Sequence, residues 1–327
     1  MKPNDFQPAV PCQFIMFFCF YALTWMACDS SAVTSFPLRP LPDIDGEAIS
    51  FLGDTLQPPT MDVDAFLHAD SLLNEVADEY QDDSTDLNTI IWYGRRLAYV
   101  GQFRKAIDIF THGIDMYPQS PELFRHRGHR FLTIRQTENA IHDLETSASL
   151  LSDRVSAPEP DGIPNKLGIP LSNLPFNVYY HLGLAWYIKA DFQKATTAFS
   201  SAMTYADNPD LKVAVTYWFY LTYLRSGERD AASQLLQPIS RDMEIIENDN
   251  YLHQLLVFKG EERPQAWSDT TLSKQSMVNM YGISCWHETN GRLQEAAAWR
   301  RQILSTGMWP SFGYLAAEAD SARLVNK

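Results

Sequence analysis

The sequence of 327 residues predicts an all-α chain, a right-handed superhelical solenoid of stacked helix-turn-helix pairs. Two observations carry this. A glycine is followed twelve residues later by an alanine and four further on by a large apolar residue, at Gly94, Ala106 and Phe110, at Gly128, Ala140 and Leu144, and at Gly183, Ala195 and Phe199. A glycine free to take positive φ also marks the turn between two helical segments, at Gly101, Gly227 and Gly291. Glycine on one helix and alanine on the next let two antiparallel helices approach closely, and the large residue fills the space beside them. A single pair would leave apolar surface exposed; stacked pairs bury it in a continuous core.

Residues 1–27 read as a signal peptide, because the uncharged stretch from Phe14 to Ala27 is too short to cross a bilayer comfortably. Acylation of Cys28 after Ala27, ordinary cleavage after Ala32 and an uncleaved anchor are the three outcomes this segment allows. A bacterial lipoprotein usually carries a leucine-like residue three before the cysteine, where this chain has Trp25. Cys12 and Cys19 leave with the signal, so acylation of Cys28 would leave Cys285 alone and no disulfide framework. Residues 28–60 are proline-rich without helical periodicity and predict an extended tether. A capping helix follows over 61–84, with Phe66, Leu67, Leu72, Leu73 and Val76 at three- and four-residue steps.

The solenoid itself spans 85–327. Its paired units cover about 87–120, 121–154, 176–209, 213–246 and 277–310, with a degenerate unit over 247–276 and a closing helix over 311–325. Later copies depart from the pattern: Tyr220 takes the small slot of the fourth, and Ser284 with Arg300 take the small and large slots of the fifth. Between the second and third units, residues 155–175 hold five prolines, which exclude a helix and leave either a spacer or a flap beside the groove.

Over roughly residues 85 to 325 the chain resembles tetratricopeptide repeat (TPR) proteins, of a bacterial single-chain secreted or lipoprotein type. The layout of lipoprotein signal plus repeats is also similar to NlpI-type envelope adaptors. The resemblance implies that the first helix of each pair lines a concave groove. On that frame the inward residues are Trp92, Arg95 and Tyr99, then Arg125, His126 and His129, then Tyr180, His181 and Tyr187, with Tyr217 and Trp218 from the fourth unit. Arg104, on a second helix, is expected to face away, and Arg127 and Arg130 to point outward or to pair with acids of neighbouring units.

Charge is unevenly placed. The chain holds 26 basic and 40 acidic residues, a balance that opposes general attraction to nucleic acid or to an anionic membrane surface. Residues 91–135 reverse it, with eight basic side chains against three acidic, so an anionic partner would be recognised locally. Arginine grips a carboxylate through paired donors, and neighbouring aromatic faces can cover the apolar part of the same ligand. A peptide carboxylate, an acidic loop or an acidic glycan would each fit. The lysine and asparagine pattern of carboxylate-clamp repeats is not reproduced at these positions.

The sequence therefore points to a non-enzymatic protein-interaction scaffold at the bacterial cell envelope. It would be exported across the inner membrane, reach a membrane through a lipid on Cys28, and bind a protein or peptide, with no cofactor and no nucleic acid. No phosphate-binding glycine loop, HExxH zinc motif or nucleophile elbow is present. The competing reading is a histidine-dependent enzyme, or a small-ligand or metal receptor, in which His126, His129 and Arg95 sit under the 155–175 flap.

Overall fold

The computed structural model describes residues 38–151, 158–264 and 273–325. The signal segment, Cys28, the first part of the tether and the start of the flap lie outside the described residues. Among the described residues thirteen helices follow one another: α1 Val63–Asp82, α2 Leu87–Tyr99, α3 Phe103–Met116, α4 Pro121–Thr133, α5 Thr137–Leu150, α6 Leu174–Ile188, α7 Phe192–Thr204, α8 Pro209–Ser226, α9 Arg229–Leu235, α10 Asp249–Lys259, α11 Lys274–Thr289, α12 Leu293–Ser305 and α13 Phe312–Val325. Their starts are specified locally. Asp62, Asp86, Ser120, Asn173, Asp191, Asn208 and Ser273 each accept a backbone N–H in the first turn, and Pro121 and Pro209 sit where the missing N–H costs nothing.

The helices pair as the spacing predicts: α2 with α3, α4 with α5, α6 with α7 and α11 with α12. Ala106, Ala140 and Ala195 are fully buried, and a β-carbon added to Gly183 would come within 2.5 Å of the Phe199 ring. At Gly128 it would lie 2.9 Å from Leu144. Gly183→Leu is therefore expected to overpack the α6–α7 contact and to cost about 1–3 kcal/mol in urea denaturation. A variant as stable as the parent would show that the two helices do not meet there.

The departures from the pattern have physical causes. Ser284 satisfies its hydroxyl on the Ala296 carbonyl at 3.0 Å, and Arg300 survives burial by pairing with Glu288. Tyr220 turns away from the second helix of its unit and stacks on Phe258 of α10, 4.6 Å away. That second helix, α9, stops after seven residues, just ahead of Pro238. Among the described residues of the degenerate unit, helix α10 is closed by Gly260 in the left-handed conformation. The turn position seven residues after each small slot is left-handed in every unit, at Gly101, Arg135, Ala190, Gly227 and Gly291. Two non-glycine residues thus hold a conformation that costs them about 1 kcal/mol or more.

The described part of the expected tether differs from the sequence-based expectation. Residues 38–60 form a strap packed on the repeats, with a short hairpin pairing β1 Ala48–Ile49 against β2 Thr55–Leu56. Proline excludes a helix here, but it does not exclude burial. Ala48 is in the core, Asn139 exchanges two bonds with the Arg39 backbone, and Arg104 donates from its guanidinium to the Pro42 carbonyl and from its backbone to Glu47. Arg104 therefore binds the strap and does not face freely outward.

The closing helix α13 does more than end the stack. It packs on α11, α12 and the inner helix α6, with Phe312 against His129, His181 and Tyr180. Glu318, 1% exposed in its side chain, accepts two bonds from Arg135 in the α4–α5 turn and one from the Phe51 backbone in the strap. Asp320 receives Arg225 from the end of α8, and Arg323 donates to the Ile188 carbonyl at the end of α6. Part of the inner face is thus covered by the chain's own last helix.

Candidate functional site

The predicted groove residues divide into two groups. Tyr180, His181, Tyr187, Tyr217 and Trp218 are buried core side chains and line no open groove. Tyr187 bonds Tyr281, Tyr217 donates to the Val278 carbonyl at 2.5 Å, and Tyr180 meets the Tyr251 hydroxyl at 3.1 Å. The reason is that α10, α11 and α13 fold back over these positions, which the repeat frame of a single unit does not contain. Aromatic density on the inner face is core.

The second group stays together under the flap. Trp92, Arg95 and Tyr99 of α2 and Arg125, His126 and His129 of α4 are joined by Arg130, and most of them line one cavity of about 120 Å³. The flap packs on the same side chains: Arg95 donates to the Pro160 carbonyl at 2.7 Å, Arg96 donates to the Gly162 carbonyl at 3.0 Å, and Gly162 is pressed against Tyr99 so closely that a β-carbon could not fit. Glu159 reaches in from the flap. Its Oε1 lies 3.3 Å from both Arg125 Nη1 and His126 Nε2, and its Oε2 accepts from Asn177 at 2.6 Å.

These contacts fix the tautomers. Arg125 donates to His126 Nδ1 at 2.7 Å and Arg130 donates to His129 Nδ1 at 2.6 Å, so both histidines are neutral acceptors on that nitrogen. The proton of His126 then stands on Nε2, facing Glu159. Burial and the Arg125 charge push His126 down to about 3, and burial with the nearby guanidiniums does the same to His129 and, to about 3, to His181. Burial works against ionised Glu159, but Arg125, His126 and Asn177 outweigh it and hold the carboxyl well below its ordinary range. Arg130, desolvated and close to Arg125 and Arg95, falls to about 10.

Arg127, expected to point outward or toward another unit, is buried between the helices of its own pair. It grips the fully buried Asp143 with two bonds of 2.7 and 2.9 Å. Arg130, also expected outward, faces the cavity. The His129 and His181 rings lie 4.1 Å apart, but guanidiniums occupy Nδ1 of His126 and His129, and that positive field opposes a bound cation. Among the described residues no cluster of three metal-ligating side chains occurs.

The partner that sequence reasoning missed is Glu159. Its signal was available: the flap stretch "PEPDG" carries two acids, in a chain whose basic run lies one unit earlier. Cys285 is buried and its thiol is pushed up to about 11 by burial, so it is not a ready nucleophile.

The stacked pairs, with a glycine or serine against the second helix at the same position in four units, decide the architecture. The fold is a tetratricopeptide-repeat solenoid. No protein-family model matches the chain, and no curated protein matches it. Among solved structures, MamA is 18% identical over 54% of this chain and 91% of its own, with a TM-score of 0.41. YrrB, described as a TPR protein with an unusual peptide-binding site, is 10% identical over 75% of this chain and 97% of its own, also with a TM-score of 0.41.

Proposed function

We propose that this TPR protein is a non-enzymatic interaction scaffold of the cell envelope, tethered through acylated Cys28, that holds an anionic segment of a protein partner at the flap-covered cavity. The observation that carries this reading is the mismatch of charge there: Arg95, Arg125 and Arg130 converge, and among the described residues Glu159 alone forms an ion pair with them. The same flap exposes Ile163, Leu167 and Ile169, at 75%, 63% and 48%. An acidic group flanked by apolar residues matches that arrangement. The histidine-dependent enzyme is less well supported, because His126 and His129 already spend Nδ1 on neighbouring arginines and are held neutral far below physiological pH.

The test starts with capture from solubilised envelopes and continues with titration of the purified partner. Arg95→Ala is expected to weaken binding roughly tenfold to a hundredfold, the loss of one charge-assisted contact. Arg301→Ala, an exposed residue of α12, is the control and should change little. Equal losses would reduce the effect to bulk charge, and undiminished affinity in Arg95→Ala would discard the site. Mass spectrometry of the mature protein decides the tether, since an unmodified N-terminus at Val33 removes the lipid and leaves export intact.

A further inference from the structure

The cavity beneath the flap is short of negative charge in a specific way. Both oxygens of Glu159 are already engaged, and the ion pair they make is with Arg125 alone. Arg95 is met by neutral groups: the Pro160 carbonyl, the Tyr99 hydroxyl and the face of Trp92. Arg130 is met by His129 and the Phe103 ring. Among the described residues Arg125 Nε is buried with no partner. Asp161, the flap's second acid, lies near Arg95 but forms no ion pair with it among the described residues, and one of its carboxylate oxygens is buried without a hydrogen-bond partner. Guanidiniums held out of water without counter-charge are costly, and a bound anion offsets that cost.

We infer that this cavity is an oxyanion site that takes a phosphate-type group between Arg95, Arg125 and Arg130. The inference rests on the reading of the same cavity as the anchor of an anionic partner, and it adds which anion. Size decides first: about 120 Å³ is the share of some four waters, enough for one small anionic group and too little for a peptide. Direction decides next. The three guanidiniums come from α2 and from two positions of α4 more than one turn apart, so their donors converge from different sides. A tetrahedral oxyanion offers oxygens to all of them, whereas a carboxylate offers two in one plane. The charge agrees in sign: among the described residues Arg95 and Arg130 form no ion pair, and Asp161 beside Arg95 offsets only part of their charge, so the cavity stays net cationic toward a phosphate-type anion.

The test is thermal unfolding and calorimetric titration of the full chain in inorganic phosphate, sulfate and acetate against chloride at equal ionic strength. Phosphate and sulfate at about ten times their Kd should raise Tm by about 2–4 °C. Acetate should not, and Arg130→Lys, which keeps the charge but loses the fork, should abolish the shift. O-phosphoserine beside inorganic phosphate separates the sources: tighter binding of the ester assigns the site to a phosphorylated ligand, and equal or weaker binding assigns it to the free ion. No shift with any of these, or a shift as large in acetate, overturns the inference. In the acetate case the anionic-partner reading survives with a carboxylate in place of phosphate. Should Arg130→Lys fail to fold, the comparison of anions on the parent chain still decides.

Discussion

Arg135→Gly is expected to destabilise the protein by about 2–4 kcal/mol, although it replaces a strained residue by the one its neighbours use. Arg135 has φ 68° at the turn position filled by glycine in three other units. Glycine there would relieve about 1 kcal/mol of left-handed strain. The same change strands Glu318, whose buried carboxylate would keep only the Phe51 N–H, and removing one partner of a buried pair costs about 3–5 kcal/mol. The second effect wins. Urea denaturation measures the balance, and hydrogen exchange should show α13 opening before the first repeats. In the Arg135→Gly, Glu318→Gln double variant part of the loss should return, since no charge is left buried alone. A single variant more stable than the parent would mean that the ion pair contributes less than the strain.

Acidification should unfold the protein well above the usual carboxylate range. His126 and His181 are held at about 3 against an ordinary 6.5, and His129 moves the same way. The unfolded chain therefore binds more protons than the folded one between pH 6.5 and about 3, and stability falls with pH across that window. At pH 5 each of the two histidines accounts for about 2 kcal/mol of lost stability relative to pH 7.5. Glu159 and Asp320, both held low, extend the loss below the ordinary carboxylate values, while Glu47, Asp161 and Glu247, raised by burial, offset part of it. Urea midpoints from pH 7.5 to 4.5 give the slope. A midpoint unchanged between 7.5 and 5 would show that these rings are hydrated and free to charge.

How much of this was legible in the sequence depends on the range of the interaction. The pairing of Gly183 with Phe199, or of Ser284 with Ala296, is set within sixteen residues and recurs, so spacing alone reveals it. The assembly of Arg95, Arg125, His126 and His129 follows from the same period. The burial of Tyr217 and Trp218 does not, because the groups that cover them, Tyr281 on α11 and Tyr251 on α10, belong to parts of the chain where the repeat has decayed. The strap is illegible for a related reason: a proline-rich segment reads the same whether water or Arg104 takes its carbonyls. Arg135 could have been noticed, as an arginine standing where the frame expects glycine.

The bond from the Phe51 N–H to Glu318 spans 267 residues, and Trp309 reaches back to the Gln57 carbonyl across 252. An open array of repeats behaves as a one-dimensional chain, in which an end unit can melt or be deleted with only its neighbour affected. Here the first and last segments are fastened to each other, so the array is closed and its ends are no longer its weakest points. Loss of helix α13 would loosen the strap as well as the last repeat.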